Sequence, residues 1–486
     1  MSASPTPNPL KHVLNAIGED VDWISYTDWG CFYPEGEFIL PLGPEPFAEL
    51  LKRYGTPTAQ EQWDRLMDYL LSLSECTMGL PPFGLRTDVG AVVTLARYAR
   101  VLLKTLPVGQ QLQGPFGDVM DACEVTDPFI RNHLNLLCFL LQGLPADGTL
   151  VAVMAYMCSD FYREGAVLDY PKGGTGALVD ALVRGVEKRE GSKVVLNAHV
   201  EEITLDDKGR AGGVRLRDGK VIKARRGVIS NASQWDTLKL LPDGALPEEF
   251  VEERQGTPQC KSFMHVHLGV KAANLPKKVA PIECHYTQVL DWEQPIDAAG
   301  NVIVVSIPSV LDPSLAPPGC HVVHAYTAGN EPYNIWEGLD TKSQEYKELK
   351  DKRAKVLMDA VEKVFPGLDE RLEVKLIGTP LTHERFLRRD RGTYGPEIAA
   401  GQGTFAGPNT PLKRLMLTGD SGEPAVLWFC CSAVVPFVGL DGEEAPAGHT
   451  DTTLSAFSSH PLCSFSWDSL AWDWGPGGSC FWHTSW

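Results

Sequence analysis

The apolar residues of this chain keep one period up to about residue 160 and another from Lys193 onward, and that switch limits what the chain can become. In "PFAELLKRY", "AQEQWDRLMDYLLSL", "VGAVVTLARYARVLLKTL" and "DPFIRNHLNLLCFLLQG" they recur every three or four residues, the repeat of a helix with one buried face. Asp127 followed by Pro128 predicts an N-cap and first-turn pair for the last of these. From "KVVLNAHVEEITLDD" through "RAGGVRLRDG" and "KVIKARRGVISNA" the period is two, with Lys-Gly and Asp-Gly turns between short strands. Ser262–Val270, Asn301–Ser309 and His321–Thr327 predict three more strands, and "SQEYKELKDKRAKVLMDAVEKVF" a charged amphipathic helix. No internal repeat or low-complexity linker separates these segments, so an α/β protein with interleaved units is expected.

Bulk properties narrow the function. With 44 basic and 62 acidic residues the chain carries −18, which argues against a nucleic-acid surface. The 12 cysteines show no CxxC pair and no Cys/His set at zinc spacing, so free thiols are expected. The longest apolar run, from Leu134, is interrupted by Gly-Leu-Pro-Ala-Asp-Gly and falls short of a membrane span. The start, "MSASPTPNPLKHVLNAIG", shows neither a signal-peptide core nor the arginines of an organelle presequence, so no transit peptide is expected in this chain.

The most informative stretch is "YPKGGTGALVDALVRGVEKREGSKVVLNAHVEEI", Tyr170–Ile203. Gly173, Gly174 and Gly176 allow a tight turn into a helix over Ala177–Lys188, with Leu178, Leu182 and Val186 as its buried face, and then a strand through Val200 and Ile203. The turn either contacts a cofactor or simply opens a helix, because it lacks the third glycine of a dinucleotide fingerprint. "GQGTFA" (Gly401–Ala406) satisfies G-x-G-x-x-A, but Gly407 and Pro408 follow at once, so no phosphate-binding helix is expected there.

Three clusters carry possible chemistry. His265 and His267 alternate onto one strand face, opposite Met264, Val266 and Leu268. Two histidines could ligate a metal, yet without a third ligand the spacing favours ordinary polar strand positions, and no metal is expected. "THERFLRRDRGTYGP" holds Arg385, Arg388, Arg389 and Arg391, the chain's one cationic cluster, which reads first as a solvated helix end. "HER" is no zinc motif, and no G-x-S-x-G supports a hydrolase.

Taken together, "YPKGGTGALVDALVRGVEK", "GVRLRDGKVIKARRGVISNASQWDTLKLLP", "TPQCKSFMHVHLGV", "SIPSVLDPSLAPPGCHVVHAYT", "IWEGLD" and "GTPLTHERFLRRDRGTYGP" resemble the carotenoid isomerase branch of the phytoene desaturase-like flavoproteins, from about Pro9 to Ser421. The resemblance implies an α/β, two-domain flavoprotein: a Rossmann-like FAD domain and a mixed-sheet and helical substrate domain over a lipid-sized tunnel. The expected division is 1–165, a mainly helical part of the substrate domain; 166–261, part of the FAD domain; 262–399, substrate sheet and helix; 400–421, a return to the FAD domain; and 422–486, an atypical tail.

Carried over by position, the resemblance implies FAD contacts at Gly173, Gly174, Val200, Gly419 and Asp420, and makes His383, Glu384 and Tyr394 cavity residues, with the catalytic group itself unassigned. It implies FAD-dependent cis-to-trans isomerisation of a poly-cis C40 carotene, at a plastid membrane surface, in carotenoid biosynthesis. A carotenoid desaturase or saturase of the same fold is the alternative within the enzyme class, and a flavin-free lipid-binding protein or inactive fragment the alternative outside it.

Two departures from the family pattern shape the expectations. The family's first strand and its G-x-G-x-x-G turn would lie upstream of Met1, and after Leu415–Ser421 the relatives' Phe-Pro-Gly continuation is replaced by "GEPAVLWFCC". An incomplete FAD domain and a colourless, poorly soluble preparation are therefore expected. The tail carries six of the 12 tryptophans, and no Lys or Arg follows Arg414. A membrane-interface segment, a partner-docking tail and out-of-frame sequence remain the three readings, with the abrupt break in a motif favouring the last.

Overall fold

In the computed structural model, which describes residues 9–78, 108–275, 281–402 and 407–419, the first third is helical as its periodicity demands. Helices α1 (Pro9–Ile17), α2 (Pro44–Tyr54), α3 (Ala59–Met78), α4 (Pro128–Gln142) and α5 (Val151–Phe161) precede most of the sheet. Asp127 caps α4 as expected: its carboxylate accepts from the Ile130 N–H at 2.9 Å, Pro128 follows, and Gly143 closes the helix at φ +74°. Phe47, Trp63, Leu66, Leu70, Ile130, Leu134, Phe139 and Met154 interlock as one core between these helices. Among the described residues no helix is long and apolar enough to cross a membrane.

Strands β1 (Trp23–Tyr26), β2 (Asp28–Tyr33) and β3 (Gly36–Pro41) lie between α1 and α2, and β4 (Leu168–Pro171) follows α5, with α6 (Gly176–Glu187) after it. They are followed by β5 (Val200–Leu205), β6 (Ala211–Leu216), β7 (Val221–Lys223), β8 (Val228–Ser230), β9 (His265–Lys271), β10 (His285–Val289), β11 (Val302–Ser306) and β12 (Cys320–Thr327). Helix α7 (Gln344–Val364), β13 (Leu372–Gly378), α8 (Pro380–Leu387) and β14 (Leu415–Leu417) come last, and several shorter helices lie between these elements. Ser343 caps α7 by accepting from the Tyr346 N–H.

A seven-stranded sheet in the order β13-β9-β12-β11-β10-β2-β3 organises the middle of the chain, with only β10 and β2 parallel. Its two faces differ in chemistry. Val266, Leu268, Val305, Val323 and Ala325 pack against Leu357, Ala360, Val361 and Val364 of α7. The opposite face carries His265, His267, His324 and Tyr326, because antiparallel register places His324 beside His267 and Tyr326 beside His265. Three smaller units surround it: the β5-β6-β7 meander, the antiparallel β1-β4 ribbon, and the parallel pair β14-β8.

Two local expectations fail for the same reason. No strand forms over 193–199, where Val194, Val195 and Leu196 are 39, 61 and 52 % exposed; only β5 continues the pattern. Helix α6 buries Ala181 and Gly185 instead of Leu182 and Val186, which stand 37 and 42 % exposed. Its small-residue side is pressed against α1, where a Cβ on Gly185 would lie 2.5 Å from Ile17. Apolar periodicity marks a face able to be buried, and the neighbour decides whether it is. The helix expected across 89–106, Asp420, and the tail with its tryptophans lie outside the described residues.

Candidate functional site

The parallel pair β14-β8 sets one corner of the site. Register matches Leu417 with Ser230, and the Thr418 N–H donates to the Ser230 carbonyl at 2.9 Å, so the carboxyl ends of both strands emerge together. Gly419 follows at φ +83°, and a Cβ there would stand 2.6 Å from Asn231 Oδ1. Only glycine fits this crevice between parallel strand ends, the position at which open α/β sheets bind nucleotides. Val200 begins β5 opposite Leu216 on the neighbouring meander.

A second corner is the Gly173–Gly174 turn between β4 and α6. Both glycines are left-handed, at φ +86° and +81°; the Gly174 N–H donates back to the Pro171 carbonyl at 2.9 Å and leaves the Gly173 N–H facing outward. A carboxylate already occupies that N–H, which donates to Asp312 Oδ2 at 2.8 Å. Asp312 also accepts from the Ser314 N–H and hydroxyl. Burial pushes this carboxyl up, but the hydrogen bonds from Ser314 and Gly173 outweigh it and hold it below the usual range. Because β4 pairs only with β1, and antiparallel, the turn is not the crossover of a dinucleotide fingerprint.

The third part is the histidine face of the large sheet. His265 Nδ1 and His324 Nε2 are 3.4 Å apart, His267 and His324 stack with ring centres 4.3 Å apart, and His383 of α8 stacks on His265 at 4.5 Å. Gly378 on β13 makes room: a Cβ there would meet His265 Nε2 at 2.0 Å. Burial, reinforced by the neighbouring imidazoles, holds His265 and His267 well below the usual range; burial and the charges of His324 and Arg389 take His383 down to about 4. These imidazoles are neutral at pH 7.

Of the three expected cavity residues, two come together. Phe263 bridges them, with ring centres 5.6 Å from His383 and 5.4 Å from Tyr394. Glu384 turns away and accepts from the Tyr333 hydroxyl at 2.7 Å. Sequence reasoning left out His324, whose strand was legible but whose neighbour is fixed only by β9–β12 register, and Asp312, whose Asp-Pro step reads as an ordinary turn. The third imidazole missing from the spacing of His265 and His267 is supplied by β12.

A family model described as flavin containing amine oxidoreductase matches residues 48–425. The chain belongs to that family. It is 36% identical over 304 residues to a chloroplastic prolycopene isomerase of Arabidopsis thaliana, covering 62% of this chain and 49% of that protein. It is 24% identical over 367 residues to human all-trans-retinol 13,14-reductase, covering 66% and 59%. The chain thus spans about half the length of the curated isomerases it matches. A solved variant of putrescine oxidase, 14% identical, aligns with a TM-score of 0.50 over 86% of this chain and 83% of that one, a likeness of fold alone. The fold is that of an α/β, two-domain flavin oxidoreductase.

A flavin is the cofactor of this family, and the described residues leave room for one at the end of β14. Gly419 leaves the strand-end crevice free of a side chain, whereas the Gly173 N–H is taken by the chain's own Asp312 carboxylate.

Proposed function

We propose that this protein is an FAD-dependent carotenoid isomerase-like enzyme that converts a poly-cis C40 polyene toward the trans form. The observation that carries this reading is the 36% identity to prolycopene isomerase over 304 residues, a span that includes neither protein whole. When bound, FAD would supply a transient lowering of polyene double-bond order without net redox change. Gly419, Asp420, Val200, Gly173 and Gly174 are the residues we assign to holding it.

What the chain itself contributes is shape and dryness. A polyene offers no charge or hydrogen-bond handle, so it must be selected by apolar and aromatic walls. Phe263, Tyr326 and Tyr394, with the neutral imidazoles of His265 and His383, supply flat surfaces without a fixed charge. We assign His383 and Tyr394 to this wall; Glu384 serves to orient Tyr333.

The substrate source would be a plastid membrane surface. Arg385, Phe386, Leu387 and Arg388 form four consecutive exposed residues at the end of α8, an apolar tip flanked by positive charge on an otherwise acidic chain.

A second reading, a carotenoid saturase or desaturase, is favoured by the similarity to the retinol reductase. Carotene profiles from cells that accumulate poly-cis carotenes separate the two. Isomerisation changes double-bond geometry at constant hydrogen count; saturation or desaturation changes the hydrogen count; an unchanged profile with flavin loaded removes both.

A further inference from the structure

We propose that His265, His267 and His324 form a three-histidine site for a divalent transition-metal ion on the histidine face of the large sheet. One ligating nitrogen from each side chain lies within 4.8 Å of the other two. Two nitrogens held about 2.1 Å from a tetrahedral ion stand roughly 3.4 Å apart. His265 Nδ1 and His324 Nε2 are at that separation already, 3.4 Å, and rotation of the His267 ring out of its stack on His324 turns the third nitrogen toward the same point.

The surroundings favour an ion over a stacked imidazole core. His265 and His267 are 9 and 4 % exposed, and His265 Nε2 and His383 Nε2 are buried without a hydrogen-bond partner. The donor set is all imidazole, which suits zinc, cobalt, copper, nickel or iron over calcium or magnesium. β9 and β12 hold two ligands on one strand and one on its hydrogen-bonded neighbour, so the site is fixed by sheet register. Three ligands leave a coordination position for water or an anion.

The experiment is cobalt binding to the chelator-treated full chain, read by visible absorption, equilibrium dialysis and X-ray absorption at the cobalt edge. The expected result is about one ion per chain, a four- or five-coordinate ligand-field band, and at least three imidazoles. His324→Gln and His267→Gln should each weaken binding at least tenfold, while His285→Gln, on the same face outside the trio, should not. Circular dichroism shows whether each variant is folded; for one that is not, the native spectrum and imidazole count decide alone. No ligand-field band in the native chain, or undiminished binding by the folded trio variants, overturns the proposal. The readout involves neither flavin nor carotene, so its failure is distinct from failure of the isomerase reading.

Discussion

Gly378 lies directly beneath the imidazole of His265, so close that a Cβ would meet Nε2 at 2.0 Å and Cδ2 at 2.2 Å. The two are register partners on β13 and β9, and the ring is walled on its other side by His383. Gly378→Ala must therefore expel the ring or bend the strand. An overpacking cost of about 1–3 kcal/mol is expected in urea unfolding. A neutral result would mean that His265 is not fixed where its neighbours place it.

The large sheet is tied to α7 by one buried ion pair. Glu331 is fully buried and accepts from Trp336 Nε1 at 3.0 Å and from Arg353 Nε and Nη2 at 2.9 and 2.5 Å. Arg353→Met removes the compensating charge and leaves a buried carboxylate, at a cost of about 3–5 kcal/mol. Replacing both partners, as in Glu331→Gln with Arg353→Met, should recover most of that loss in thermal denaturation.

In the helical core His133 bonds Tyr162 Oη through Nε2 at 2.7 Å and packs against Phe47 and Phe129. Burial lowers its pKa to about 4. The unfolded chain binds this proton more readily, with a pKa of about 6.5, so stability is complete above that value and falls as pH drops toward about 4. The loss from this group reaches roughly 3 kcal/mol. Denaturation midpoints of His133→Gln should show a shallower acid limb between those values, and an unchanged slope would refute the assignment.

At the end of α8, Phe386 and Leu387 are 46 and 52 % exposed. If this tip meets a lipid surface, cosedimentation with anionic vesicles should fall several-fold in the Phe386→Ser, Leu387→Ser double variant and weaken as salt rises. Because the two side chains are solvated, the double variant should unfold within about 1 kcal/mol of the native chain. Binding insensitive to both changes would place the membrane contact elsewhere.

Much of the scaffold was legible because its signals are local. Asp127-Pro128 declares its helix, and the alternation through His265–Lys271 puts the histidines on one face and the apolar residues on the other. What escaped depends on pairing across the chain. The third imidazole is set by β9–β12 register, and the Gly173 N–H is taken by Asp312, 139 positions away. The same limit explains the misjudged burial of Leu182 and Val186, whose spacing promised a buried face before α1 claimed the opposite side. Glu384 shared a motif with His383 and Tyr394, but the helical turn aims it at Tyr333.

The proposed activity stands or falls on polyene geometry. The direct measurement is the carotene profile of cells accumulating poly-cis carotenes after expression of the full reading frame that carries this chain, resolved by isomer and by mass. A shift from poly-cis to trans carotene at unchanged mass, lost in Gly419→Val, is the predicted result. A flavin-loaded protein that leaves both geometry and mass untouched would contradict it.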